Sequence, residues 1–453
     1  MENKTTDTFR WGVATAAYQI EGGVNEGGRQ PSIWDTFSHT PGRIKTGDTG
    51  DVACDHYHRY AEDIALMGDL GVTGYRLSLA WGRLVDAAGR TNQAGIDFYS
   101  RLIDDLLGHG ITPVVTLYHW DLPQSLDDVG GWLNRDTAYR FADYAGVAVA
   151  ALGDRVHDWT TLNEPWCSSF LGYGAGEHAP GHTDPGEALR AAHHLNLAHG
   201  LGVQAIRSAT SDASVSVVCN LHAILPASDA PEDVAAAQRV RRVGNDIWTG
   251  PMLDGEYPAG LFDETSAYSD WSFVQDGDLA DIHQKLDTFG VNFYSSSRVK
   301  ASDNTAARQF AEGKPTCWVA DGVTFLPPTG KLTAMGWNID PGALTWLLED
   351  FNSRWPDMPV FISENGAAFD DVVTPNGIHD QDRIDYISAH IEAVKAAIAA
   401  GVPVTGYFVW SLLDNFEWAF GFSRRFGLVR VDYGTQQRIP KDSYAWYKQT
   451  IQG

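Results

Sequence analysis

The sequence predicts an α/β fold: a single (β/α)8 TIM barrel spanning residues 1–453, with long βα loops roofing an active site. Three observations carry this prediction. Strand-like and helix-like segments alternate from end to end, the strand-like runs number eight, and two of them close on a glutamate, Glu164 and Glu364. Such alternation marks parallel βα units. Eight strands are what a closed barrel of this kind needs, and the carboxyl ends of its strands are where it carries functional side chains.

Residues 10–14 are the first strand. A helix over 55–70 follows, with Tyr60, Ile64, Met67 and Leu70 at helical spacing, and Gly71 breaks it. Residues 74–80 form the second strand and 96–107 a helix. The third strand, 111–120, is apolar through its middle, which suits a strand covered by helices outside and packed side chains inside. A helix over 136–152 leads to the fourth strand at 156–164, and a long helix over 185–208 precedes the fifth at 215–220. The remaining strands fall at 288–295, 359–364 and 404–413, before a last helix over 441–451. Residues 165–185, rich in Gly, His and Pro, and residues 296–337, without a clear period, are too long for plain connections. Their Trp166, Phe170, Tyr173, His178, Trp318 and Trp337 predict ordered loops over a site. No Pro/Ser-rich linker, repeat or low-complexity tract divides the chain, so one elaborated domain is expected.

Composition narrows the function. Apolar residues at 43% and charged residues at 20% are those of an ordinary globular protein. With 58 acidic against 33 basic residues the formal charge is −25, which disfavours binding to nucleic acid, to an anionic membrane or to a polyanionic substrate. A neutral small-molecule substrate is the simplest match, and a homo-oligomer stays open. Cys54, Cys167, Cys219 and Cys317 lack metal-knuckle or redox spacing, so buried thiols in a reducing compartment are expected. The N-terminal residues carry neither a basic segment before an apolar core nor a membrane-length apolar run, and the expected location is cytoplasmic.

The two acids suggest the chemistry. Glu164 closes Trp159-Thr160-Thr161-Leu162-Asn163-Glu164-Pro165, and Glu364 closes Val360-Phe361-Ile362-Ser363-Glu364-Asn365-Gly366. Cleaving a glycosidic bond needs a proton for the leaving oxygen and a carboxylate facing the developing charge at the anomeric carbon. Those jobs demand different protonation states, hence different surroundings. Tyr294, Arg76 and Asn292 are candidate donors to Glu364, and Trp166 and Trp120 candidate apolar neighbours of Glu164. Other strand ends carry Gln19, His119-Trp120, Asn292-Phe293-Tyr294 and Trp410, with Glu417-Trp418 in the loop beyond the eighth strand. Any one tryptophan reads most simply as core packing. The set reads as a sugar site, because core aromatics need no Gln, His, Asn and Glu beside them.

These segments resemble glycoside hydrolase family 1, the β-glucosidase group, over essentially the whole chain. Residues 9–22, Phe-Arg-Trp-Gly-Val-Ala-Thr-Ala-Ala-Tyr-Gln-Ile-Glu-Gly, are similar to the family's N-terminal signature. Thr161-Leu162-Asn163-Glu164-Pro165 resembles its acid/base motif, Ile362-Ser363-Glu364-Asn365-Gly366 its nucleophile motif, and residues 410–418 its glycone-binding segment. The resemblance implies a retaining exo-β-glucosidase with Glu364 as nucleophile and Glu164 as acid/base, and no metal or organic cofactor. It implies sugar contacts from Gln19, His119, Asn163, Glu417 and Trp418, with Trp410 beneath the ring and Trp120 and Phe426 as further substrate contacts. Asn292, Tyr294 and Arg76 would support the nucleophile, with Trp166 and Trp318 on the leaving-group side. The implied substrates are β-glucosides and cellobiose-like oligosaccharides.

The chain departs from the pattern in places. Ser363 stands where Thr is usual and keeps the hydroxyl, Gly82 replaces a Pro, Leu77 replaces a Phe, and Cys167 adjoins the acid/base and reads as a buried small residue, with a place on the aglycone channel as the alternative. Glu417-Trp418 argues against the phospho-β-glycosidase branch, and an intact Glu164 against the thioglucosidases. Galactosidase, fucosidase or transglycosylase emphasis remains open within the family. A catalytically silent carbohydrate-binding barrel is disfavoured by the presence of both acids, and a metal-dependent barrel hydrolase by histidines that do not assemble with acids at ligand spacing.

Overall fold

The computed structural model describes residues 9–305 and 319–452. Eight strands close into a barrel: β1 (Arg10–Ala14), β2 (Gly74–Ser78), β3 (Thr112–Tyr118), β4 (Asp158–Asn163), β5 (Ser214–Cys219), β6 (Thr288–Asn292), β7 (Val360–Asn365) and β8 (Val404–Trp410). Each pairs in parallel with its sequence neighbours, and β1 meets β8 with Ala14 opposite Trp410. Parallel strands under a helical coat are buried on both faces. β2 and β7 accordingly are buried along their whole length.

Helices at His56–Leu70, Gln93–Gly108, Asp136–Leu152, Pro185–Ala209, Pro341–Arg354, Gln381–Ala399 and Asp442–Gln452 surround the barrel. Their ends follow local chemistry. Asp184 caps the fourth, its carboxylate accepting from the Gly186 and Glu187 amides ahead of a proline at the first helical position. Asp340 does the same for Pro341–Arg354 through the Ala343 amide. Inside the barrel Phe361 and Phe408 meet edge to face, in a buried cluster with Ala14, Val114 and Val218.

The predicted strands are all present, but several end early. Residues 79–80, 119–120, 293–295 and 411–413 leave the strands to become the loops that face the site. The helices Pro341–Arg354 and Gln381–Ala399 went unpredicted. The stretch expected as an ordered loop at 165–185 contains a π-helix at Cys167–Ala175. The 296–337 region contributes Ser296–Ala301 and Val323–Phe325 to a small three-stranded sheet with Ala223–Pro226. Trp318 and Cys317 lie outside the described residues. Among the described residues no helix is long and apolar enough to cross a membrane.

Candidate active site

Strand register brings the two glutamates to one place. Glu364, in β7, lies opposite Asn292 at the end of β6. Glu164 follows β4, its amide donating to the Val218 carbonyl of β5 at 2.8 Å. Gly366 lets the chain leave β7 tightly, since a Cβ there would stand 1.8 Å from the Trp410 carbonyl oxygen. Three residues of the site, Trp120, Glu164 and Trp418, have positive φ (76°, 45° and 46°). Left-handed backbone at non-glycine residues stores local strain that surrounding packing must hold, and sequence alone carried no signal for it.

Glu364 accepts from the Arg76 guanidinium (Nη1 to Oε1, 2.5 Å) and from the Tyr294 hydroxyl (to Oε2, 2.6 Å). Two of the three expected donors are therefore in place. Asn292 is not the third. Its Nδ2 donates to Glu164 Oε1 at 2.7 Å and to Asn163 Oδ1 at 3.1 Å. The reason is local: both Glu364 oxygens are already engaged, and the Ser363 hydroxyl donates to Asn292 Oδ1 at 2.7 Å, turning the amide nitrogen toward Glu164.

Burial pushes the Glu164 carboxyl up to about 8, and the neighbouring Glu364 charge adds to it; hydrogen bonds from Asn292 and Cys167 and the Arg76 charge pull the other way. Glu417 is likewise raised to about 8, by burial first and then by Glu364 and Glu164. His119 is held well below the usual imidazole range by burial and by Arg76, so it is neutral. Arg76 Nη2 donates to Asn163 Oδ1 at 2.7 Å, which leaves Asn163 Nδ2 to donate to His119 Nε2 at 3.0 Å. The imidazole proton therefore sits on Nδ1, an atom with no protein partner.

A cavity of about 280 Å³ opens over these groups. Glu164, Glu364, His119, Trp120, Asn292 and Tyr294 line it together with Trp410, Glu417, Trp418, Phe426 and Trp166. Trp418 stacks on Tyr18 and His119, which fixes the plane of its indole. Gln19, Arg76 and Asn163 are fully buried beside the cavity. Gln19 Nε2 is held by Asn415 Oδ1 and the Phe416 carbonyl, while its Oε1 and Glu417 Oε2 lack protein partners. Trp120 faces the cavity with its indole nitrogen donating to the Asn163 carbonyl at 2.9 Å.

Other lining residues escaped the sequence reading: Glu177, Asn220 and His222. Asn220 directly follows β5, so the strand-end rule could have found it; Glu177 had no signal beyond its place in the long loop. Cys167, expected as a buried small residue, is buried but also donates from its thiol to Glu164 Oε2 at 3.2 Å. Among the described residues no group of three or more His, Cys, Asp or Glu side chains is arranged to hold a metal ion.

Residues 1–453 match the family model described as Glycosyl hydrolase family 1. The chain is 52% identical to a bifunctional β-D-glucosidase/β-D-fucosidase of Bifidobacterium breve, over 98% of this chain and 97% of the relative. It is 47% identical to a 1,4-β-D-glucan glucohydrolase of Thermotoga neapolitana, over 99% and 98%. Its structure superposes on the β-glucosidase from Thermotoga maritima in complex with deoxynojirimycin with a TM-score of 0.92 at 45% identity, covering 100% of this chain and 99% of that one.

Proposed function

The chain belongs to glycosyl hydrolase family 1 and is a glycoside hydrolase, and from that premise we propose that it is a retaining, exo-acting β-glucosidase. It would release terminal non-reducing β-D-glucosyl residues from β-glucosides and short β-1,4-glucan oligosaccharides, with β-galactosidase and β-fucosidase side activity. The names of the Thermotoga neapolitana and Bifidobacterium breve relatives support the oligosaccharide and fucoside parts of this reading. The whole chain acts as one catalytic barrel.

One observation carries the mechanism: two buried carboxyls face a single cavity with opposite partners, a guanidinium and a phenol on Glu364, and amide and thiol donors on a Glu164 that burial keeps protonated. Glu364 attacks the anomeric carbon as the bond to the leaving group breaks, and Glu164 passes its proton to the departing oxygen. In the second half Glu164, now a carboxylate, takes a proton from water as the water oxygen bonds to the anomeric carbon and the Glu364 carboxylate is released. Neutral His119, Gln19 and Glu417 offer the partnerless polar atoms that hold the sugar hydroxyls.

The test is a pair of variants. Glu364→Ala abolishes turnover. Glu164→Ala spares activated aryl β-glucosides, loses alkyl β-glucosides and cellobiose, and recovers with azide; an equal loss across leaving groups overturns the assignment. Rates of the unmodified enzyme on aryl β-glucoside, β-galactoside, β-fucoside and cellobiose decide the substrate order.

A further inference from the structure

The two oxygens of Glu164 have different protein partners. Oε1 accepts from the Asn292 amide, whose orientation is fixed by the Ser363 hydroxyl on its other end. Of the two oxygens of a protonated carboxyl the carbonyl oxygen is the stronger acceptor, and it matches the one bonded to the amide, so the acidic hydrogen is placed on Oε2. The protein neighbour of Oε2 is the Cys167 thiol at 3.2 Å. This contact is built into the chain path. The Cys167 amide donates to the Glu164 carbonyl at 2.9 Å, and the π-helix beginning at Cys167 folds the thiol back over the carboxyl. Asn220, beyond β5, donates to the sulfur from the far side at 3.5 Å.

We propose that Cys167 is a positioning residue for the proton of Glu164, a weak two-way partner that faces Oε2 toward the leaving group without holding its hydrogen. The proposal rests on the reading of Glu164 as the acid/base. A thiol is a weak donor and a weak acceptor. It donates to Oε2 when Glu164 is ionised, and its sulfur receives the hydrogen when Glu164 is protonated. The thiol stays neutral through the cycle, because burial and then the Glu164 charge push its ionisation well above the usual thiol range. A hydroxyl at the same place would hydrogen-bond the carboxylate more strongly, and charge-assisted O–H···O⁻ bonds favour the ionised form. Sulfur therefore lets the carboxyl keep its proton up to a higher pH than a serine would.

Other charged and titratable groups around the cavity enter this balance, among them His178 and His222, both held neutral by burial. Arg76 of β2 and Glu364 of β7 act on Glu164 directly; Glu417 and Tyr294 share its cavity, with neutral His119; Cys219 ends β5; and Glu177, from the same loop as Cys167, faces the thiol. None of these side chains touches Oε2, so replacing the sulfur changes one contact and leaves the rest of the field in place.

The experiment is the pH profile of kcat/KM for the full-length enzyme and for Cys167→Ser and Cys167→Ala, on an activated aryl β-glucoside and on an alkyl β-glucoside. The alkaline limb moves to lower pH in Cys167→Ser and to higher pH in Cys167→Ala, and Cys167→Ser loses more on the alkyl glucoside than on the aryl one. Limbs that stay put in both variants, or move the same way, overturn the proposal. Cys167→Val serves if the alanine variant fails to fold, and has the same expected direction. Glu164→Gln, measured alongside, separates the two levels of the argument. An alkaline limb that stays in place in Glu164→Gln and in Glu164→Gln/Glu417→Gln, where neither raised acid is left, refutes the acid/base reading; a limb lost there but unmoved in the Cys167 variants refutes only the role of the thiol.

Discussion

Asn292 Nδ2 stands 2.7 Å from Glu164 Oε1, tying the end of β6 to the acid that follows β4. A residue paired in register with Glu364 thus serves the other carboxyl. The bond stabilises the ionised form of Glu164 and opposes the burial that keeps it protonated.

Asn292→Ala is expected to move the alkaline limb of kcat/KM to higher pH, since the ionised acid loses its amide donor. It also frees Glu164 to rotate, so cellobiose hydrolysis falls by roughly 10²-fold, the range in which positioned acid catalysis operates. An unchanged limb would mean that the amide does not support the carboxylate in solution.

Arg76 is fully buried between Glu364 and Asn163. Arg76→Met leaves Glu364 without its ion-pair partner in a closed site. Breaking a buried pair from one side costs about 3–5 kcal/mol, and denaturant unfolding of the variant measures it. Turnover falls with it, because the Glu364 oxygen that Arg76 oriented is free to turn.

Stability should depend on pH in a stated direction. Glu164 and Glu417 are raised to about 8 in the folded protein from an ordinary 4.5. Between those values the folded state holds protons that the unfolded state has released. The stability these two groups contribute is therefore fully present below about 4.5 and is lost as pH rises through 8. Scanning calorimetry from pH 7 to pH 9, above the range in which the buried histidines titrate in the unfolded chain, should find a falling Tm, and Glu417→Gln should flatten the slope by removing one of the two groups.

Much of this was legible in the sequence, for physical reasons. Barrel strands are buried on both faces, so β3 and β7 read as near-continuous apolar runs, and their acids and aromatics stand where the strands stop. The helix Gln381–Ala399 read poorly because its buried face includes Arg383 and His390, which break the apolar stripe. Arg383 is buried there to pair with Asp371 and Asp380, a partnership set by tertiary structure. Pro341–Arg354 carried the ordinary signal in Leu344, Leu347, Leu348 and Phe351. The hydrogen bond from Asn292 to Glu164 was beyond reach, because it depends on which oxygens Arg76 and Tyr294 had already engaged. The π-helix that brings Cys167 over Glu164 has no sequence period to announce it.

The last prediction concerns a residue remote from the sugar. Asp414 is fully buried at the start of the loop that carries Glu417, Trp418 and Phe426. Its Oδ1 accepts from Lys441 Nζ at 2.8 Å and from the Gly427 amide at 3.0 Å, and its Oδ2 from Arg425 Nη1 at 2.7 Å. The bonds from Gly427 and Arg425 tie the two ends of the loop to each other, and the bond from Lys441 ties them to the C-terminal segment. Lys441 also pairs with Asp371, so removing Asp414 leaves a buried cation with half its compensation. Asp414→Ala is expected to cost about 3–5 kcal/mol of stability, read by denaturant unfolding. Its kinetic signature should fall on KM: Glu417 and Trp418 lose their fixed places, while Arg76, Glu164 and Glu364 keep their own bonds. A rise in KM with kcat nearly intact would mark the loop as a binding element; a loss confined to kcat would place its influence on the acids instead.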